Sequence, residues 1–332
     1  MQPVQDVFSL LQHPKKIFIT THHKPDGDAI GSMLGLHHYL TKKGHKVSSV
    51  SPSELPDFLM WMPGIEELYN YEAEQKVSEQ LLADADLIFC LDFNAFSRTG
   101  KLSDALAAAP QPKVLIDHHL MPDPVWDYGM SIPEKSSTCE MVYDFINLYN
   151  DNELIDLNIA ECLYTGLMTD TGSFRFTITS ASVHEMIADL KHKGLDHAKI
   201  HEEVYDSWSV KRMQFIGYVL LEKMEILPHL NSAVIALEKK DLKLFEVNTS
   251  DLEGLVNYPL SIRGIKFATL ITERGNNEVK FSFRSKGDFD VSSFAREYFN
   301  GGGHFNASGG RSTKGFSETL TYFKEILSDI HP

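Results

Sequence analysis

Three continuous apolar runs near the start of this chain constrain its fold most, because helical sequence separates them and the second and third end in an acid. Residues 16–21 (KIFITT), 86–92 (DLIFCLD) and 113–117 (KVLID) are short and rich in Ile, Val, Leu and Phe, which predicts strands buried on both faces. After the first run, residues 27–43 place Ile30, Met33, Leu34 and Leu40 at helical spacing, and a further strand is expected at 46–50. Such strand–helix alternation predicts an α/β domain, a mostly parallel sheet with helices on both faces. Helices are expected next at 137–149, 155–168 and 181–193, with one long helix inside 196–224.

The second half changes character. Strands are expected at 232–238, 266–272 and 278–284, with helices near 252–257, 291–299 and 317–330, which is a smaller α+β domain. The expected organisation is therefore a first domain over 1–195, a long helical linker over 196–225 and a second domain over 226–332. Two domains also suit the length of 332 residues, since single cores rarely grow past roughly 250–300 residues.

Charge narrows the function classes. Proteins that grip long nucleic acid carry basic tracks, whereas this chain has a net charge of −15 and no run of basic residues. A phosphate-bearing substrate must be small, or be met by bound cations and a few basic side chains. Residues 1–16 lack the apolar core and cleavage pattern of a signal peptide, and no 18-residue apolar stretch exists, so a soluble, cytoplasmic protein with no membrane partner is expected. Cys90, Cys139 and Cys162 lie far apart without a CxxC pair, which predicts reduced, buried thiols.

Acids and histidines fall where those strands end. The first strand runs into His22-His23-Lys24-Pro25-Asp26-Gly27-Asp28, the next ends at Asp92, and the next at Asp117-His118-His119. Ligands of an open α/β sheet bind beyond the carboxyl ends of its strands, so three strands deliver carboxylates and imidazoles to one edge. A fourth segment, 164–172, brings Asp170 to a helix end. An isolated PDGD is ordinarily only a turn, and an isolated DHH says less still. Their joint occurrence at successive strand ends predicts a metal site, and so many ligands suit a pair of ions. Mixed imidazole and carboxylate ligation suits manganese, magnesium or zinc.

HHKPDGDAIGS, LDFNAFSRTG, IDHH and TGLMTDTGSF occur in the order of four motifs of the DHH phosphoesterase family, which the chain resembles. Gly301-Gly302-Gly303-His304 followed by Ala307-Ser308-Gly309 is similar to the GGGHxxASG signature of the DHH-associated domain, so the resemblance covers nearly the whole chain. It implies a mostly parallel DHH domain and a smaller DHH-associated domain. It implies two divalent metal ions, Mn2+ foremost with Mg2+ or Co2+ as alternatives. His22, Asp26 and Asp92 would hold one; Asp28, Asp92, His118 and Asp170 would hold the other, with Asp92 bridging and catalytic. Asp117 would orient an imidazole, and His119 would face the substrate as a catalytic group. The doubled His23 departs from the family pattern, and the spacing to Asp26 favours His22 as ligand.

On the substrate side, the resemblance assigns Gly302, Gly303 and His304 to phosphate contact, with Arg284 and Ser285 from the SFRS strand. Arg263 could fork onto a phosphate or serve the surface equally well, and Arg98 is read as fixing its loop. The family implies metal-assisted hydrolysis of very short oligoribonucleotides, releasing 5′-mononucleotides. Family members of the nanoRNase kind also act on 3′-phosphoadenosine 5′-phosphate, and linear dinucleotides are a third candidate. The alternatives are a pyrophosphatase or exopolyphosphatase, which the GGGH domain disfavours, and a non-catalytic nucleotide-binding module, which would need a degraded metal site. Oligomeric state stays open, a homodimer among the options.

Overall fold

The computed structural model describes residues 1–248, 250–275 and 277–330, with Ser250 as backbone only. The chain divides into two compact units between Ser207 and Trp208. In the first, strands β1 (Gln2–Pro3), β2 (Lys16–Thr20), β3 (Lys46–Ser51), β4 (Tyr69–Asn70), β5 (Leu87–Leu91), β6 (Lys113–Asp117) and β7 (Tyr128–Ser131) make one sheet. Its order is β1-β7-β6-β5-β2-β3-β4, and every neighbouring pair is parallel.

Parallel strands need crossover connections, and here helices supply most of them. The helices of this unit are α1 (Gly27–Lys42), α2 (Gln75–Ala83), α3 (Ser103–Ala108), α4 (Thr138–Leu148), α5 (Leu157–Asp170), α6 (Ala181–His192) and α7 (His197–Tyr205). Alternate strand residues feed opposite cores. Ile17, Ile19, Phe89, Leu91, Val114 and Ile116 pack with Met33 of α1, Phe145 of α4 and Leu163 of α5. Phe18, Ile88, Cys90 and Leu115 pack on the other face with Leu82 of α2 and Leu106 of α3. Burial on both faces is why these strands read as unbroken apolar runs. The three cysteines are buried free thiols, as expected.

From β2 the chain builds outward through β3 and β4, then returns to build the other way through β5, β6 and β7. The reversal lies between β2 and β5, where open α/β sheets leave a crevice at the strands' carboxyl ends.

The second unit holds β8 (Met224–Leu227), β9 (Ser232–Leu237), β10 (Phe267–Glu273), β11 (Val279–Ser285), β12 (Gly302–His304) and β13 (Ala307–Ser312), in the order β12-β13-β11-β10-β9-β8. Strands β9 and β10 are parallel; the other neighbours are antiparallel. Its helices are α8 (Val210–Tyr218), α9 (Lys239–Phe245), α10 (Val291–Tyr298) and α11 (Phe316–Ile330). Phe267, Phe281 and Phe283 stack against Phe294 of α10 and Phe323 of α11. The opposite face packs Ile235, Ala268 and Leu270 against Phe215 and Ile216 of α8. The last two residues of the expected 226–332 domain lie outside the described residues.

Two expectations need correction. The single long helix inside 196–224 is two helices, α7 and α8. Ser209 starts the second, its hydroxyl accepting the Arg212 N–H at 3.1 Å, and such a cap competes with helix continuation. The helix near 252–257 is replaced by two separate 3₁₀ turns, Ser250–Leu252 and Leu255–Asn257, the second begun by Gly254 at φ 75°. Among the described residues no helix is long and apolar enough to cross a membrane.

Candidate metal centre and phosphate-contacting row

The first unit's site is built at the ends of β2, β5 and β6. Past β2, Asp26 caps α1, its carboxylate accepting the N–H groups of Asp28 and Ala29 at 3.1 Å each. Asp92 follows β5 with φ 62°, a left-handed conformation that Asp tolerates better than most residues. His118 and His119 follow Asp117 at the end of β6.

These side chains converge. Nε2 of His22 lies 3.4 Å from Asp92 Oδ2 and 3.9 Å from Asp26 Oδ2. Nε2 of His118 lies 3.5 Å from the other Asp92 oxygen, 3.8 Å from Asp28 and 3.3 Å from Asp170. One triad, His22, Asp26 and Asp92, and a second, Asp28, Asp92 and His118, each offer ligand atoms within 4.8 Å of one another. Asp92 belongs to both and is buried. His23 instead turns towards Glu72, 3.9 Å away.

Each imidazole is aimed from behind. Nδ1 of His22 meets the His23 carbonyl at 3.1 Å, and Nδ1 of His118 meets the Lys135 carbonyl at 3.2 Å. A carbonyl only accepts, so Nδ1 carries a proton and Nε2 is the nitrogen left to bind a cation, the usual arrangement behind a metal-binding histidine. His119 is held differently, with Nδ1 2.7 Å from Asp117 Oδ1. The other Asp117 oxygen is buried and has no hydrogen-bond partner among the described residues. Asp117, expected to orient an imidazole, bonds that of His119.

Electrostatics explains why such a cluster needs cations. Burial pushes the Asp28 carboxyl up to about 7, helped by Asp92 and opposed by His118. Burial also pushes Asp170 well above the usual carboxylate range, with Asp28 adding to it. For Asp92, burial is outweighed by His118 and His22, which hold it well below that range. Burial opposes charge on His22 and His118, but the bond to Asp92 and the nearby carboxylates raise both. Protons here do what a divalent cation does better, and the buried acid–imidazole cluster fits divalent metal binding.

That balance has a measurable sign. Asp28 keeps its proton up to about pH 7 when folded, against an ordinary value of 3.8, so the metal-free fold binds more protons than the unfolded chain in that window. This contribution is present below 3.8 and is lost as pH rises towards 7. The raised imidazoles act in the same direction, and Asp92 opposes it. Added Mn2+ is therefore expected to raise the melting midpoint more near pH 7 than near pH 5, against chelator-treated protein at each pH. Equal shifts at both would contradict this reading of the cluster.

Several supporting groups carry no sequence signal of their own. Asp28 accepts the N–H groups of Thr138 at 2.6 Å and Cys139 at 2.9 Å, at the N-terminus of α4. The Thr138 hydroxyl donates to Asp92 at 3.1 Å. Helix α5 lies tightly along α1: a Cβ on Gly31 would come within 2.5 Å of the Cys162 carbonyl, and one on Gly166 within 2.8 Å of Asp28 Cα. That close approach lets Asp170, at the end of α5, meet His118. Glycines at four-residue spacing on α1, Gly27, Gly31 and Gly35, were the available signal.

In the second unit, Arg284, Ala307 and His304 are paired directly across β11, β13 and β12, so all three lie on one face of the sheet. Ser285, expected beside Arg284, points to the other face. Its hydroxyl donates to the Phe289 carbonyl at 2.7 Å and accepts from Asn306 at 2.8 Å, so its observed hydrogen bonds hold a turn. Gly302 and Gly303 lie in β12, and a Cβ on Gly303 would sit 2.7 Å from the Ala307 carbonyl. The glycines let β12 and β13 close into a hairpin. The Arg98 loop has a local backbone bond: the Arg98 carbonyl accepts the His23 N–H at 2.7 Å.

Residues 16–167 match the DHH family, N-terminal domain, and residues 235–330 match the DHHA1 domain. The chain is 28% identical over 310 residues to the bifunctional oligoribonuclease and PAP phosphatase NrnA of Thermus thermophilus, covering 93% of this chain and 87% of that protein. It is 40% identical to an exopolyphosphatase-related protein from Bacteroides fragilis of known structure, with a TM-score of 0.95 over 99% of this chain and 96% of that one. RecJ from T. thermophilus, solved in complex with Mn2+, shares the fold at 12% identity and a TM-score of 0.53, over 98% of this chain and 55% of that one.

Proposed function

The chain belongs to the DHH family and carries a DHHA1 domain, and from that membership we propose a two-metal phosphoesterase that cleaves very short oligoribonucleotides to 5′-mononucleotides. Nucleotides of similar size, 3′-phosphoadenosine 5′-phosphate and linear dinucleotides, fall within the same proposal. The observation that carries it is the sharing of Asp92 between two acid–imidazole triads. The family and its relatives named as oligoribonuclease and PAP phosphatase support the substrate class.

In this reading His22, Asp26 and Asp92 hold one cation, and Asp28, Asp92, His118 and Asp170 hold the other, Mn2+ foremost with Mg2+ or Co2+ as alternatives. Such a pair supplies the charge that activates water near neutral pH and offsets the phosphoryl oxygens. His119 protonates the leaving oxygen, and Asp117 holds its ring and stabilises the imidazolium. Gly302 and Gly303 let the β12 backbone approach a phosphate, while Arg284 and His304 contact it with their side chains. Ser285 supports that strand through its turn. Replacing Arg284 or His304 with alanine is expected to lower kcat/KM by about ten- to a hundredfold at unchanged metal content, the worth of a charge-assisted phosphate contact.

The name of the B. fragilis relative keeps an exopolyphosphatase in view. Initial rates with Mn2+ on a diribonucleotide, 3′-phosphoadenosine 5′-phosphate, pyrophosphate and polyphosphate separate the readings. Preference for the two nucleotide substrates is expected; preference for polyphosphate or pyrophosphate would overturn the assignment.

A further inference from the structure

Two turns in the second unit, one before β10 and one after β11, wall a cleft of about 680 Å³ lined by Ile262, Arg263, Lys266, Lys286, Asp288 and Phe289 among others. The three cations are exposed, in a chain whose net charge is −15. Among the described residues none of the three forms an ion pair with a carboxylate. Their arrangement has a cost. The Lys286 N–H donates to the Lys266 carbonyl at 2.8 Å, which continues the β10–β11 pairing one residue beyond Phe267 and Ser285. The two lysines therefore stand opposite each other, a like-charge pairing that disfavours a sheet, and the Lys286 ammonium donates to the Leu260 carbonyl.

The cleft continues a face already described. Ala268 pairs with Arg284, and two residues along the same strands stand Lys266 and Lys286. Side chains two apart on a strand share a face, about 7 Å from one another. The half-buried Phe289, at the end of the cleft, turns its ring to the other face of the sheet, where it packs edge-on against Phe267 at 5.1 Å between centroids. A lysine pair and a guanidinium supply the charge that a phosphate needs.

We propose that this cleft is a second phosphate subsite, in which Arg263, Lys266 and Lys286 hold the phosphate of a nucleotide neighbouring the one at Arg284. This deepens the reading of the chain as an enzyme of very short nucleotide strands and rests on it. The same chemistry would serve a free mononucleotide.

Equilibrium binding to the chelator-treated full chain tests the subsite without turnover, so it reports even if the protein hydrolyses neither probe. A 5′-phosphorylated tri-adenylate and 5′-AMP are titrated by calorimetry into wild type, Arg263→Ala/Lys266→Ala and Lys286→Gln, with near-UV circular dichroism checking each fold. Wild type is expected to bind tri-adenylate with an affinity that falls with salt, and the double variant to lose at least about tenfold, with Lys286→Gln losing less. A loss confined to tri-adenylate identifies the backbone of a strand, and a loss for both probes identifies a mononucleotide site. Unchanged affinities in both variants would overturn the proposal.

Discussion

Asp92→Asn is expected to lower turnover by at least about a hundredfold while leaving circular dichroism close to wild type, since losing only an outer partner of a metal site costs about 10–100-fold. The carboxylate stands 3.4 Å from one histidine and 3.5 Å from the other, one oxygen towards each. An amide removes its charge from both triads at once and presents one oxygen instead of two. Metal content measured on the same preparation should fall with the activity. A variant that keeps a tenth of wild-type turnover would mean that the shared carboxylate is not where the chemistry happens.

His119→Gln is the second large effect. A positioned general acid contributes about 10²–10⁴-fold, so kcat should fall within that range while metal content stays at its wild-type level. Asp117→Asn should lower kcat less than His119→Gln does, because the ring keeps its proton but loses the 2.7 Å partner that stabilises its charge. A His119→Gln protein that loses metal along with its activity would make His119 a ligand instead.

How much of this was legible in the sequence depends on whether the controlling contact is local. The strands of the first unit announced themselves because both faces are buried, so β2, β5 and β6 read as largely apolar runs, and Asp92 and Asp117 at the ends of the last two stood out. The capping role of Asp26 and the turn that follows β2 are local too. The partners of Asp28 were not legible: the amides that receive its carboxylate lie 110 and 111 residues further along, and backbone amides have no sequence signature. Strands β12 and β13 were missed because GGH and ASGGRS lack apolar alternation, and their pairing depends on backbones that approach closely. Ser285 was read with Arg284 through the SFRS resemblance; neighbours on a strand point to opposite faces, and the burial along β11 puts Ser285 on the core side. The break before α8 rests on one serine cap inside a stretch that otherwise reads as continuous helix.

The central claim, that the substrate is a very short nucleotide strand, is tested most directly by substrate length. Cations able to meet phosphate in the second unit are few, and the chain around them is acidic, with a net charge of −15. Each nucleotide beyond the first few gains little, because a long strand needs a basic track with stacking side chains along it. Initial rates on labelled two-, five- and twenty-residue RNAs, side by side at two salt concentrations, read this out. The account predicts that kcat/KM falls at least about tenfold, or roughly 1.4 kcal/mol, from the two-residue to the twenty-residue RNA, and that low salt does little to recover the longest. Equal efficiency on all three lengths would contradict it.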